Sequence, residues 1–480
     1  MGLSTGVLVF GFDPRHCFHN LELPLYGIKY RYTVIGVKTT VGREVLVAKQ
    51  TADLVIENIG ELVTCAGPAD GRRGDALQTL EIVKDGAIAV TGGLISGVGT
   101  TQDIAASFDS ANRIDATGRL VTPGLVDPHS HLVYSGSRHD EWEFKVTGRA
   151  ADTGLQGGIH RSVGWTRAAS DEAMASQALA DLDEMAEHGT TTLEAKTGYG
   201  LERETELRLL RLTAGLEHPV DVIPTFLGAH VPPREYLDDT DAYVDLVIDM
   251  LPEAAELAEY CDVCCDPIGF TRFQCRRIGE RAKELGLGIR VHSDQTGDAE
   301  GGFLAAELNA ASADHADYTS DEGFRAMAEA GTAAILFPGV TYHMLEMTPA
   351  LDGDTLVPAE KPFMPQVARR AVDAGCNVAL STDYNPGSCP TLSMQAAMQT
   401  AARLYRLGYA EIWHMSTLNA AASLGRGHDR GSIEPGKRAD IVIWRVPEHG
   451  MVIHRFGTNL VDDVFIDGRQ VVSRGRRLAA

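Results

Sequence analysis

The feature that most constrains the fold is an alternation of short apolar segments with amphipathic helical segments along the middle of the chain. Helical patterns at residues 201–216, 276–285 and 320–330 separate several of the apolar segments. Strands that alternate with helices favour parallel pairing through right-handed crossovers, so the pattern predicts an α/β fold with a closed (β/α)8 TIM-type barrel. The eight strand-like segments are 120–131, 190–196, 221–230, 262–265, 288–294, 311–315, 333–337 and 378–383.

Both flanks of this region have a different pattern, typical of antiparallel strands. Residues 88–90 and 94–99 read as a hairpin across Gly92 and Gly93. Strand-like segments return at 441–444 and 464–472, and we expect them to pair with the first set in one small composite β-sandwich beside the barrel. The predicted domains are an N-terminal extension of unknown role at 1–50, the first β-sandwich segment at 51–119, the barrel at 120–424 and the second β-sandwich segment at 425–480.

Charge and cysteine usage narrow the class of protein. A net charge of −23 argues against binding to nucleic acid or to a membrane surface. The sequence contains no apolar run of about 18 residues, so no transmembrane helix is expected. Eight irregularly spaced cysteines and no recognisable secretory signal predict reduced thiols. We therefore expect a cytoplasmic protein that acts on a small molecule. We also expect it to form a homodimer.

Candidate metal ligands stand at the ends of several predicted strands. His129 and His131 are two residues apart at the end of the first strand, where alternate side chains point the same way. His292, His315 and Asp383 end the fifth, sixth and eighth strands. The carboxyl ends of barrel strands carry the active site, so we expect these side chains to converge. Three imidazoles and a carboxylate can hold a divalent metal such as zinc or iron and leave room for water.

The fourth predicted strand bears on the number of metal ions. Dinuclear sites of this kind often use a lysine or glutamate on strand four to bridge two ions. Residues 261–266 read Cys-Asp-Val-Cys-Cys-Asp and contain neither. We therefore predict one divalent metal ion per chain.

Other residues near the strand ends could contact a substrate. Arg138 follows His131 by seven residues, and its guanidinium suits a carboxylate, although a surface position fits the spacing equally well. Tyr199 could face the pocket or pack outside the barrel, and His230 could be a rim residue or a structural hydrogen-bonding group. Gln295 can exchange hydrogen bonds but cannot transfer protons. The turn at 385–388 could expose N–H groups to an anion.

Several of these residues lie within longer segments that identify a family. These segments are PGLVDPHSHLVYSGSR (123–138), EAKTGYGLERETEL (194–207), PTFLGAHVPPREY (224–236), VHSDQ (291–295), SADHADY (312–318), LSTDYNPGSCPT (380–391) and GSIEPGKRADIVIW (431–444). Through them the chain from about residue 52 to 475 resembles the imidazolonepropionases, metal-dependent members of the amidohydrolase superfamily that act in histidine breakdown.

The resemblance implies roles at the matching positions. The implied metal ligands are His129, His131, His292 and Asp383. The implied contacts to substrate or product are Arg138, Tyr199, His230, Gln295, Asn385, Gly387 and Ser388. The implied reaction is hydrolysis of the lactam C–N bond of 4-imidazolone-5-propanoate to N-formimidoyl-L-glutamate. Asp383 or His315 would move the proton, while His230 and His315 would stabilise the oxyanion or orient the ring.

The sequence also departs from the family pattern above the first strand. Residues 146–152 have no tyrosine where the family carries one, residues 157–160 lack one glycine of the usual run, and Trp165 replaces a smaller residue. These departures motivate one alternative, the same chemistry on a hydantoin- or thio-substituted propionate. A second alternative is a metal-free binding or scaffold protein, against which the four intact ligand positions argue.

Overall fold

The computed structural model describes residues 49–147, 158–344, 350–352, 355–357 and 365–478. The predicted extension at 1–50 lies almost wholly outside the described residues, as does most of the divergent segment at 146–160. Within the described residues, no helix has both the length and the apolar character needed to cross a bilayer.

The predicted barrel is confirmed. Each strand pairs in parallel with the next, and a bridge from Ser130 to Tyr384 joins the first strand to the chain just beyond the last, so the barrel is nearly closed. All eight predicted segments contribute a strand, with ends shifted by a few residues. The strands, numbered one to eight in chain order, are Leu125–Ser130, Thr190–Lys196, Asp221–Ala229, Tyr260–Cys265, Gly288–Ser293, Ser312–His315, Ala333–Leu336 and Val378–Leu380.

The first predicted strand, 120–131, is two strands in the structure. Leu120–Pro123 belongs to the sheet of the small domain, and Leu125–Ser130 opens the barrel. The chain changes sheets at Gly124, where a Cβ would lie 2.2 Å from the Thr191 hydroxyl. Glycine has no Cβ and therefore allows the backbone to pass strand two this closely.

Helices fill the outside of the barrel because their apolar faces pack on the strands. Their ends follow local sequence signals. Thr271 and Gln274 form a reciprocal capping box at the start of one helix, and Ser320 caps another. The helices are Thr101–Ser107, His139–Val146, Ile159–Ala168, Asp171–Glu187, Arg203–Ala214, Thr240–Ala254, Arg272–Glu284, Gly301–Glu307, Asp321–Ala330, Pro338–His343, Pro365–Asp373, Met394–Leu404, Tyr409–Met415, Leu418–Ser423 and His449–His454, with 3₁₀ turns at Gly74–Gln78 and Arg234–Tyr236.

Both flanks of the barrel region meet in one sheet, as predicted. Val442 pairs with Thr122, and this link joins the strands before the barrel to those after it. The predicted hairpin turns at Gly92 and Gly93, both of which have positive φ. The strands of this sheet are Leu54–Val63, Ile82–Thr91, Leu94–Thr100, Arg113–Asp115, Leu120–Pro123, Ile441–Trp444, Val461–Ile466, Arg469–Ser473 and Arg476–Arg477. Short two-stranded sheets pair Gln50–Thr51 with Phe108–Asp109 and Ala350–Asp352 with Thr355–Val357.

Candidate active site

The four predicted metal ligands converge at the carboxyl end of the barrel. One nitrogen of each of His129, His131 and His292 lies within 4.8 Å of the other two. Asp383 Oδ1 lies 3.4 Å from His129 Nε2 and 3.6 Å from His131 Nε2. All four side chains are buried. Strands one, five and eight therefore bring three imidazoles and one carboxylate to a common point.

The other ring nitrogen of each imidazole is already engaged. His129 Nδ1 lies 2.6 Å from Asp314 Oδ2, and His292 Nδ1 lies 3.0 Å from Asp262 Oδ2. His131 Nδ1 lies 3.2 Å from the carbonyl oxygen of Thr197. Acceptors at Nδ1 fix the tautomer in which Nε2 offers its lone pair.

Three of the atoms that point to the centre have no hydrogen-bond partner among the described residues. These buried atoms are His129 Nε2, His292 Nε2 and Asp383 Oδ1. Buried polar atoms are normally paired, so this cluster is suited to a cation. Burial raises the pKa of Asp383 to about 8, and an adjacent cation would restore its ionised form. The residues present therefore fit a divalent metal.

Beneath the imidazoles, the barrel interior holds a cluster of buried charges. Lys196 Nζ lies 2.8 Å from Glu194 Oε1, 2.7 Å from Asp262 Oδ2 and 3.3 Å from Asp314 Oδ2. Burial lowers the pKa of Lys196, but the three carboxylates together raise it above its usual value. Arg290 lies 3.7 Å from Glu194 and donates hydrogen bonds to the carbonyl groups of Pro128 and Ser423.

Two of the site residues have an unusual backbone conformation. Asp383 has φ of +51° and His315 has φ of +75°, in the left-handed region that is uncommon for residues other than glycine. Such conformations persist only where surrounding contacts enforce them, and they cluster at functional sites. The His315 ring packs on Phe337 with centroids 4.4 Å apart, and burial lowers its pKa well below the usual range. His315 is therefore a neutral imidazole.

A cavity of about 320 Å³ opens above the candidate ligands. This volume falls at the small end of sites for small molecules, roughly 300–1,000 Å³. His131, His292, His315 and Asp383 contribute to its wall. The same wall includes every residue predicted to contact substrate, namely Arg138, Tyr199, His230, Gln295, Asn385, Gly387 and Ser388.

Arg138 lies across the turn at residues 385–388 that follows strand eight, the strand-eight turn. Its backbone N–H donates to the carbonyl group of Pro386, and its guanidinium crosses Gly387 so closely that a Cβ there would lie 1.2 Å from Nη2. Arg138 Nε is buried with no hydrogen-bond partner among the described residues. No carboxylate of the described residues forms an ion pair with this guanidinium, which therefore offers a cation to the cavity.

Hydrogen bonds restrict what His230 and the strand-eight turn can offer to a ligand. His230 Nδ1 lies 3.0 Å from the Gly198 carbonyl oxygen, and burial lowers the pKa of His230 to about 3. A neutral ring that donates from Nδ1 has an acceptor at Nε2. In the turn, the N–H groups of Gly387 and Ser388 both donate to Asn385 Oδ1, 2.8 Å away, instead of standing free for an anion.

Buried carboxylates fix the loops that carry the cavity residues, and sequence reasoning missed them. Glu206 accepts backbone N–H groups from Gly198, Gly200 and Leu201, which shapes the loop around Tyr199. Asp127 accepts hydrogen bonds from Ser381 and Thr382, directly before Asp383. Asp294 accepts hydrogen bonds from the backbone N–H groups of Ala299, Gly301 and Gly302, in the loop beyond Gln295. For Asp127, an acidic residue inside an otherwise apolar strand was the signal available, whereas Glu206 lies among other charged residues and gave none.

Trp165, one of the departures from the family pattern, supports the loop before Arg138. Its indole packs against Gly136, where a Cβ would lie 2.2 Å from the ring, and the Arg161 guanidinium lies 4.5 Å from its centroid. Trp165 does not line the cavity. The tryptophan at this position therefore affects how the loop before Arg138 is packed, and it does not contact the cavity directly.

Comparisons with known proteins agree with this geometry. The family model described as "Amidohydrolase family" matches residues 120–471. A protein named imidazolonepropionase from Alkaliphilus metalliredigens is 41% identical over 433 residues, covering 88% of this chain and 99% of that protein. Its namesake from Bacillus velezensis is 40% identical, covering 88% and 97%. The crystal structure of a Xanthomonas campestris adenosine deaminase with bound zinc has a TM-score of 0.64 at 18% identity, covering 90% of this chain and 95% of that one, which supports the fold alone.

Proposed function

Because this chain belongs to the amidohydrolase family and, within it, groups with the imidazolonepropionases, we propose that it hydrolyses the lactam C–N bond of 4-imidazolone-5-propanoate in histidine catabolism. The product is N-formimidoyl-L-glutamate. The observation that carries the proposal is the position of Arg138, an ion-pair donor without a carboxylate partner among the described residues, in the same cavity wall as the metal-ligand candidates.

His129, His131, His292 and Asp383 would hold one divalent metal, zinc or iron. When bound there, the metal supplies a Lewis acid for the ring carbonyl and lowers the pKa of water. The cavity then needs a cation at its wall to hold the propionate, and Arg138 provides it. A guanidinium can bind a carboxylate through two parallel hydrogen bonds.

Proton transfer falls to Asp383 or His315. In hydrolysis, water adds to the carbonyl carbon, the C–N bond breaks, and one water proton ends on the leaving ring nitrogen. Asp383 is itself one of the four candidate ligands, and His315 is a neutral imidazole whose Nδ1 has no hydrogen-bond partner among the described residues. Either group can accept the proton and deliver it.

His230 has a more specific role in this proposal than the sequence suggested. Since Nδ1 donates to Gly198, Nε2 accepts, and a ring N–H of the substrate is a matching donor. His230 therefore orients the ring instead of stabilising an oxyanion. Tyr199, Gln295 and Ser388 border the same space and supply further hydrogen-bonding groups.

Turnover by the purified full-length chain tests the proposal. We expect loss of the ultraviolet absorbance of 4-imidazolone-5-propanoate together with formation of N-formimidoyl-glutamate, identified by mass spectrometry. Hydantoin-5-propionate, assayed in parallel, distinguishes the neighbouring-ring alternative, which the named relatives do not favour. Metal-replete protein that turns over the hydantoin but not the imidazolone would refute the proposed substrate.

We also propose a cytoplasmic location and a homodimer. The seven cysteines of the described residues are buried free thiols, which fits a reducing compartment. Sedimentation equilibrium tests the assembly, because a dimer has twice the mass of the 51.6 kDa chain.

A further inference from the structure

Lys196 occupies an unusual place beneath the candidate metal ligands. It ends strand two, and its side chain is fully buried. An ammonium group has three N–H donors, and three carboxylates surround this one. A buried ammonium group is costly unless it is paired, and these three acidic partners supply the pairing.

Two of these carboxylates connect Lys196 to the imidazoles. The Asp262 oxygen that lies 2.7 Å from Nζ is also the oxygen that lies 3.0 Å from His292 Nδ1. The Asp314 oxygen that lies 3.3 Å from Nζ also lies 2.6 Å from His129 Nδ1. One ammonium group therefore contacts both oxygens that orient the rings of His129 and His292.

The surroundings of Lys196 also resemble a cation site. Ligand atoms of His129, Asp262 and Asp314 lie within 4.8 Å of one another, close enough to hold a metal ion of their own. The Lys196 ammonium stands beside both carboxylates. Its charge supplies what a second ion would supply there, and it would repel such an ion.

We propose that Lys196 is a positioning residue that acts through Asp262 and Asp314, holding His292 and His129 ready for one metal ion and excluding a second. This inference rests on the proposed function for its metal. Partners of metal-bound imidazoles orient the ring, and their removal typically lowers metal affinity by about 10- to 100-fold. Lys196 holds two such partners at once.

A competing explanation is that Lys196 only balances buried charge. The cluster contains two cations, Lys196 and Arg290, against the carboxylates of Glu194, Asp262 and Asp314. Lys196→Met alone would leave one cation with three carboxylates. Lys196→Met combined with Glu194→Gln leaves one cation with two carboxylates, so the net charge stays as it was while the contacts to Asp262 and Asp314 are lost.

The experiment compares this double variant with two controls. Glu194→Gln alone keeps the ammonium beside Asp262 and Asp314. Lys84→Met removes a lysine from an ion pair with Glu61, 2.7 Å long, in the sheet of the small domain. Full-length proteins are measured for zinc affinity by competition with a chelating dye, for the visible spectrum of the cobalt-loaded form, and for cooperative unfolding.

We expect the double variant to lose about 10- to 100-fold in zinc affinity and to show a changed cobalt spectrum, while both controls stay within about threefold of the wild type. A folded double variant with wild-type affinity and spectrum overturns the proposal. If it does not fold, Lys196→Gln, which keeps a neutral donor, is measured by the same criteria. Failure of both to fold while Lys84→Met folds also overturns it, because Lys196 then serves the fold.

The same measurements separate this inference from the proposed function. Wild-type protein that binds zinc but does not hydrolyse imidazolone propionate contradicts the proposed function and leaves the affinity comparison intact. Wild-type protein that binds metal and hydrolyses the substrate, beside a Lys196 variant of equal affinity, contradicts only the role of Lys196.

Discussion

Gly387→Ala gives a sharp test of how the cavity holds a carboxylate. A Cβ at Gly387 would lie 1.2 Å from Arg138 Nη2 and 2.0 Å from its Cζ, so the guanidinium must leave its position. The displaced atoms are the end of a flexible side chain, and Gly387 is not among the residues with positive φ. Alanine is therefore compatible with the backbone, and the substitution should impair binding without unfolding the protein.

The magnitude follows from the contact that is lost. Hydrogen bonds to charged groups contribute about 1.5–3 kcal/mol, so losing the guanidinium–propionate contact should lower kcat/KM by roughly 10- to 150-fold. The propionate is remote from the bond that breaks, so the contact is made alike in the ground and transition states. We expect the change to appear mainly in KM, with kcat largely retained.

The assay is steady-state hydrolysis of imidazolone propionate by the variant, with metal content measured beside it. Gly164→Ala is the matched control, since a Cβ at Gly164 would meet no described atom within 4 Å apart from the nearby backbone of its own helix, Ile159–Ala168. Arg138→Met should cause a similar loss, and the double variant should be little worse than either single variant. If Gly387→Ala keeps kcat/KM within about twofold of the wild type, the guanidinium does not bind substrate from its present position.

Three further predictions concern the metal, a loop and the fold. Elemental analysis should find one tightly bound divalent ion per chain, and a chelator should abolish turnover until zinc or iron is restored; two tightly held ions would contradict the mononuclear site. Glu206→Gln should weaken the loop around Tyr199 and lower the free energy of unfolding by about 1–3 kcal/mol, since the amide keeps one acceptor oxygen and at least one of the three backbone N–H groups loses its acceptor; unchanged denaturant unfolding would refute this. Trp444→Ala should cost about 3–5 kcal/mol in the same measurement, because a fully buried indole is removed; a cost below about 1 kcal/mol would show that the site repacks.

The sequence was informative about the barrel and the metal ligands for a simple physical reason. Buried strands are apolar, and in a barrel of parallel strands the polar residues at their carboxyl ends meet at one mouth. His292 and Asp383 could therefore be assigned to a common site from strand ends alone. His129 and His131 are two residues apart, and side chains at that spacing in a strand point to the same side, so both could be assigned to the site as well.

The charges beneath the site could not be predicted in the same way. Lys196, Asp262 and Asp314 lie on strands two, four and six, and their mutual contacts depend on the stagger between strands. No single segment carries that information. The contact between Arg138 and Gly387 likewise joins two loops distant in sequence, and the split at Gly124 depends on how closely strand two approaches.

The buried charges around Lys196 contribute to metal binding more than to the stability of the barrel. Buried ion pairs are often no more stabilising than apolar side chains of similar volume, because desolvation of the charges offsets their attraction. Lys196, Asp262 and Asp314 are fully buried in the cluster, so the fold gains little from them that apolar residues could not supply. Their benefit must lie in what they hold, since two of the carboxylates accept the imidazole N–H groups of His129 and His292. Replacing the whole cluster with apolar residues should therefore leave a stable barrel that binds metal poorly.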